Sequence, residues 1–173
     1  MEIYASGDSE AAFNAIVQSY GERLYWHVRH FTCSHEDSDD LLQDIFIKVW
    51  KALPDFRSES SLYTWIYRIA TNETLNFLRK KRLRALLSAE SLETRRDRKA
   101  AEDVHFNGDA LQREVQKAIN SLPDKQKQVF VLRYFEEMPY EEISEITRIS
   151  VGSLKASYHH ASRKVRERLE KIF

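Results

Sequence analysis

Near the C-terminus the apolar residues fall at Leu154, Tyr158, Ala161, Val165 and Leu169, in steps of four, three, four and four. That spacing keeps one face of a helix buried. A shorter helical segment precedes it. Pro139 can open this segment where its missing N–H is not needed, and Glu141 and Glu142 suit the positive end of the helix dipole. Ser150 stands where the second helix needs an N-cap. The pair therefore reads as a helix-turn-helix. Beside its buried stripe the second helix shows Lys155, His159, Ser162 and Arg163, continued by Lys164, Arg166 and Arg168. Short polar and cationic side chains on an outward face are what a helix needs to read base edges and grip phosphates in a major groove.

The first half has its own two-faced helices. Ser38 can cap a helix from Asp39 to about Leu53, with Leu42, Ile45, Phe46, Val49 and Leu53 facing a core. Its other face, Asp40, Gln43, Asp44, Ile47 and Lys51, is a polar stripe interrupted by one isoleucine. Two readings stand: an exposed isoleucine among solvated charges, or a docking face for a basic protein partner. A loop follows from Pro54 to Ser61, marked by its proline and serines. The next helix runs from Leu62 to about Arg82, with Leu62, Ile66, Ile69 and Phe77 inward. Thr64, Arg68, Asn72, Asn76 and Lys80 recur at steps of four and include no acid. With Tyr63, Trp65 and Tyr67 nearby, that composition fits single-stranded nucleic acid, whose bases stack on aromatics and whose edges amides can read. The alternative is core packing, which aromatics at helical spacing usually do, and which we favour for Trp65 and Tyr67.

Only four glycines and three prolines occur in 173 residues, and strand-like alternation is scarce. The expected fold is all-α: two small helical domains joined by a flexible linker, the second containing the helix-turn-helix. The domains are placed at residues 1–83 and 110–173. The linker, 84–109, holds Arg95-Arg96-Asp97-Arg98-Lys99, Gly108 and little apolar periodicity. Net charge is zero, but its distribution is uneven: residues 1–50 carry three cations against nine acids, 51–82 seven against three, and 148–173 seven against two. Two basic segments in an otherwise acidic chain mark two places where polyanion is touched, and leave acidic surface for proteins.

Other chemistry finds little support. Cys33 is the one cysteine, so no intrachain disulfide is expected; without a signal peptide or an 18-residue apolar run, the expected location is cytoplasmic, without direct membrane insertion. No nucleophile motif, phosphate loop or carboxylate pair argues for an enzyme, and no cofactor is implied. His27, His30, Cys33 and His35 are residue types that bind zinc, but their spacing matches no standard zinc pattern.

Taken together, three segments resemble the sigma factors of bacterial RNA polymerase, in the compact extracytoplasmic-function (ECF) group of the sigma-70 family that keeps regions 2 and 4. They are Asp39–Trp50; Phe56-Arg57 with Leu62–Asn72; and Ser121-Leu122-Pro123, Tyr140–Ile143 and Val151–Lys155. The resemblance implies promoter-specific initiation with core RNA polymerase. Asp40, Gln43, Asp44 and Ile47 would dock on the clamp helices of the largest subunit. Region 2 would read and melt the minus-ten element, the loop capturing a flipped base, which can offset the few kcal/mol of unstacking. That surface comprises Phe56, Arg57, Ser58, Ser60 and Ser61 in the loop, and Thr64, Trp65, Arg68, Asn72, Asn76 and Lys80 on the helix. Region 4 would dock on the polymerase flap and read the minus-thirty-five element through Arg133, Ser153, Lys155, Ser157, His159, His160 and Arg163. The resemblance further implies an anti-sigma factor, often membrane-anchored. Ala156-Ser157 and His159-His160 depart from the family's frequent Ser-Arg and arginine, and Asp44 replaces its more usual glutamate. The rival function is a polymerase-independent helix-turn-helix regulator, which leaves the Asp40 and Asn72 stripes unexplained.

Overall fold

A computed structural model describes residues 9–87 and 110–171, with the side chains of 87 and 110–112 left undescribed, and every regular element among them is helical. Three long helices form the first half: α1 (Ser9–Thr32), α2 (His35–Ala52) and α3 (Leu62–Leu87), each packed on the other two. A 3-10 turn at Leu53–Asp55 opens the segment between α2 and α3. Leu24, Val28, Ile45, Val49, Ile66 and Ala70 are completely buried between these helices. Each large aliphatic side chain so buried contributes about 1.5–3 kcal/mol of transfer free energy.

The start of α2 differs from the sequence expectation. Its cap is Ser34, whose hydroxyl accepts a hydrogen bond from the Asp37 N–H at 3.3 Å. Ser38 lies one turn inside the helix, completely buried, and donates to the Ser34 carbonyl at 2.6 Å. The buried stripe is Ser38, Leu41, Ile45 and Val49, with the expected Leu42 and Phe46 half-buried beside it. At the start of α3, Ser61 takes the capping role, accepting from the Thr64 N–H at 3.0 Å. That helix runs to Leu87, past the expected stop near Arg82 and past the proposed start of the linker at 84. The rest of the expected linker, 88–109, lies outside the described residues.

The second half comprises α4 (Ala110–Asn120), α5 (Asp124–Phe130), α6 (Tyr140–Thr147) and α7 (Val151–Leu169), with α4, α5 and α6 all packed on α7. Between α5 and α6 the chain widens into a π-helical turn, Val131–Phe135, whose end is held by the Arg133 guanidinium donating to the Met138 carbonyl at 2.9 Å. The helix-turn-helix is built as its sequence indicates. Pro139 precedes α6, and the Ser150 hydroxyl caps α7 by accepting from the Ser153 N–H at 3.4 Å. Arg148 closes α6 in the left-handed region at φ 61°. Leu154, Ala161 and Val165 are buried, with Tyr158 and Leu169 half-buried beside them.

The halves are not held apart. Helix α6 lies along α3, and Val129, Leu132, Met138, Ile143, Ile146 and Leu154 join the same apolar cluster as the core of the first half. A smaller cluster of Ala118, Ile119, Leu122, Phe130, Ala161 and Val165 belongs to the second half alone.

Candidate nucleic-acid and polymerase interfaces

Because α2 buries Leu41, Ile45 and Val49, its opposite face is set by helical periodicity, and Asp40, Gln43, Asp44 and Ile47 all stand exposed there. Ile47 is 51% exposed and Trp50, one turn on, is 41% exposed. The Trp50 ring packs edge-on against Phe13 of α1 at 5.1 Å. An isoleucine and an indole at the edge of a pair of carboxylates can bury apolar area against a partner while the acids meet its cations. The sequence reading passed over Trp50, although its spacing of three from Ile47 was available.

The loop of residues 56–61 leads into α3. Phe56 is half-buried and rests on Trp65 with ring centroids 5.0 Å apart, which braces the loop on the helix. Arg57 and Ser58 are exposed, Ser58 with φ 58°, and Ser60 is half-buried. The Ser61 hydroxyl is engaged with the N–H and hydroxyl of Thr64. Thr64 itself is 2% exposed, so it leaves the outward stripe. Asn72 and Lys80 remain exposed, Asn76 is half-buried and accepts from Arg79, and Arg68 is half-buried with a buried Nε that has no hydrogen-bond partner. Tyr67 is completely buried, as its helical spacing indicates, whereas Trp65 is only half-buried.

On α7, Ser153, Lys155, His159, His160 and Arg163 are exposed and Ser157 is half-buried. Arg163 lies 3.7 Å from Glu167 one turn on. Arg133 is committed to the carbonyls of Glu137 and Met138, and its guanidinium lies 5.2 Å from the centre of the Tyr140 ring. The Lys155 ammonium approaches the same ring at 5.7 Å. Tyr140 thus gathers two cations from separate elements at the start of α6, a role that spacing alone does not reveal.

The four residues of the zinc reading do not converge. His27 meets Thr71 and Glu136, His30 stacks on Phe135, the Cys33 thiol donates to Asn120, and His35 contacts Tyr25 and Asp39. Burial, followed by the charge of His27, pushes the His30 ring down to about 4. Burial opposes the charge on Glu136, yet His27, the Tyr67 hydroxyl and Arg23 together hold its carboxyl below its ordinary range. Its own burial, followed by the same carboxylate, raises the Tyr63 hydroxyl to about 12.

Comparison with known proteins fits this layout. Residues 16–84 match the family described as Sigma-70 region 2, and residues 112–165 match Sigma-70, region 4. The chain is 31% identical to the ECF RNA polymerase sigma factor SigW of Bacillus subtilis, over 96% of this chain and 92% of that protein. It belongs to the ECF sigma factors. A further relative, the ECF RNA polymerase sigma-E factor of Haemophilus influenzae, is 30% identical over 99% of this chain and 94% of its own length. The fold is shared with the sigma factor RpoE of Bartonella quintana, solved with the anti-sigma factor NepR, at a TM-score of 0.73 and 24% identity, covering 92% of this chain and 97% of that one. This sigma factor therefore directs promoter-specific transcription initiation with RNA polymerase, and is a DNA-binding initiation factor rather than an enzyme. Among its described residues no helix is long and apolar enough to cross a membrane.

Proposed function

We propose that the sigma factor docks on the clamp helices of the largest polymerase subunit through Asp40, Gln43, Asp44 and Ile47, with Trp50 extending the contact. Its loop 56–61 and the Asn72 face of α3 read and open the minus-ten element. Helix α7 reads the minus-thirty-five element through Lys155, Ser157, His159 and His160, with Ser153, Arg163 and Arg133 beside them and the module seated on the flap. The observation that carries the docking assignment is the simultaneous exposure of all four α2 residues on a helix whose opposite face is fully buried. The polymerase-independent regulator gives that face no task.

The sigma factor acts in the cytoplasm, where core polymerase and promoter DNA are found. The solved neighbours support a protein inhibitor as a further partner: RpoE was solved with NepR, and CnrH, 22% identical with a TM-score of 0.69, with the cytosolic domain of CnrY. An anti-sigma factor, membrane-anchored in one form, is accordingly assigned to this chain.

Asp44→Arg tests the docking face. The substitution reverses one charge at an exposed position, so the circular dichroism of the free protein should match wild type. Binding to core polymerase in a pull-down should be lost, together with promoter-specific transcripts. Retained binding would refute the docking assignment.

A further inference from the structure

The π-helical turn ends at the seam between the two halves, where Glu136 accepts a hydrogen bond from the Tyr67 hydroxyl at 2.6 Å, and the same turn carries Arg133. The Arg133 guanidinium donates to the carbonyls of Glu137 and Met138, at 3.3 Å and 2.9 Å, and lies 5.2 Å from the centre of the Tyr140 ring. From α7 the Lys155 ammonium approaches that ring at 5.7 Å. Both cations lie within the roughly 6 Å at which an aromatic face attracts positive charge. Tyr140 is itself fixed in place. It is the first residue of α6, half-buried against the apolar cluster, and it meets Tyr158 of α7 edge-on with ring centroids 6.3 Å apart. One ring thus ties together the turn, the start of α6 and the reading face of α7.

Lys155 needs such a tie if it is to read a base. A lysine carries a compact charge on a flexible stem and lacks the rigid fork of arginine. Left to swing, its ammonium meets phosphates as readily as base edges, and a phosphate contact carries no sequence information. We propose that Tyr140 is a positioning residue for reading the minus-thirty-five element: its ring holds Lys155 toward one base edge and keeps the start of α7 in register with the Arg133 turn. Tyr140 acts through the lysine, so its effect falls on discrimination between sequences rather than on general affinity for DNA. The proposal deepens the assignment of Lys155 as a base reader and rests on it.

The test is binding of the holoenzyme to a promoter it transcribes and to copies carrying single base-pair substitutions in the minus-thirty-five element. The ratio of two affinities measured on one preparation cancels any loss of folded protein. Lys155→Ala first locates the base pair whose substitution no longer matters. Tyr140→Leu, which keeps bulk but removes the aromatic face, should lower discrimination at that same base pair by about two- to fivefold, the strength of an exposed cation–π contact. Tyr140→Phe keeps the face and drops only the hydroxyl, so it should match wild type. In the Lys155→Ala background, Tyr140→Leu should change the ratio no further. Unchanged discrimination in Tyr140→Leu, or a loss that adds to that of Lys155→Ala, would overturn the positioning role. A loss in Tyr140→Phe equal to that in Tyr140→Leu would overturn it too, by assigning the effect to the hydroxyl. Failure of the underlying reading looks different: Lys155→Ala would then leave discrimination intact at every base pair, whatever stands at position 140.

Discussion

The two halves of the sigma factor reach stability differently. The first half is three long helices that bury Leu24, Val28, Ile45, Val49, Ile66 and Ala70 chiefly against one another. The second is assembled from shorter pieces around α7, with a small cluster of its own. Leu132, Met138, Ile143 and Ile146 are instead part of the cluster that spans both halves. Region 2 is therefore close to self-sufficient, whereas region 4 draws part of its burial from region 2. A module built this way can leave its neighbour only when another surface covers what it exposes. In the proposed function that surface is the polymerase flap.

The largest test of this asymmetry is Ile143→Ala. Ile143 is completely buried on α6, the helix that lies along α3. Its truncation should destabilise the chain by about 2–5 kcal/mol, the range for large-to-small changes in a core. Proteolysis should find the second half opening first. A first half that opens equally early would break the comparison.

Acidification probes the seam next. His30 stacks on Phe135 of the second half with ring centroids 3.6 Å apart, and its carbonyl accepts from Gln116. His27, Glu136 and Lys127 are the charged or titratable groups that act on it. Its ring is held down at about 4, below its ordinary value of 6.5. Above pH 6.5 the ring is neutral whether the halves are joined or apart, and the seam keeps its full strength. Between about pH 6.5 and 4 the separated or unfolded chain takes up a proton that the closed one refuses, so stability falls across that window and levels off below it. About 3 kcal/mol is at stake. Glu136, with its carboxyl held low, adds a further loss as pH drops through the acid range below its ordinary 4.5. Equilibrium denaturation of wild type and His30→Phe should differ in slope between pH 6.5 and 4, and identical slopes would remove His30 from the seam.

How much of this was legible follows from range along the chain. The helix-turn-helix was legible because its signals are local: Pro139 and Ser150 mark helix starts, and the Leu154 stripe repeats at helical spacing. The α2 stripe was legible for the same reason. Its cap was misplaced because Ser34 and Ser38 are both capping residues one turn apart and both are buried, so only the hydrogen bond from the Asp37 N–H to the Ser34 hydroxyl distinguishes them. Thr64 fits the outward stripe by spacing, but its hydroxyl and N–H are bound to Ser61. The Glu136 contact was not legible. Tyr67 and Glu136 are 69 residues apart, and Glu136 beside Glu137 reads as a solvated charge pair.

A smaller effect separates the reading face of region 4 from its framework. Lys155 is exposed on α7 with its ammonium over the Tyr140 ring. Lys155→Ala should weaken binding of the holoenzyme to its own promoter by about 1–3 kcal/mol if the lysine reads a base. An equal loss on every DNA sequence would make it a phosphate contact instead. Thermal stability should barely change, in contrast to Ile143→Ala.

The smallest effect returns to the comparison, because each half closes a helix with a non-glycine residue in the left-handed region. Cys33 follows α1 at φ 57°, its N–H donating to the Arg29 carbonyl at 3.1 Å; Arg148 follows α6 at φ 61°, its N–H donating to the Ser144 carbonyl at 2.9 Å. Glycine relieves the Cβ crowding at such a site, a cost of about 1–2 kcal/mol, but gives back about 0.5–1 kcal/mol through the freer unfolded chain. Arg148→Gly, at an exposed position, should therefore gain up to about 1 kcal/mol in thermal denaturation. Cys33→Gly relieves the same strain but also removes a buried thiol that reaches Asn120 across the seam, so it should gain nothing or lose stability. The difference between the two substitutions measures what the second half contributes to holding the first, and equal gains would show that the Cys33 contact contributes nothing.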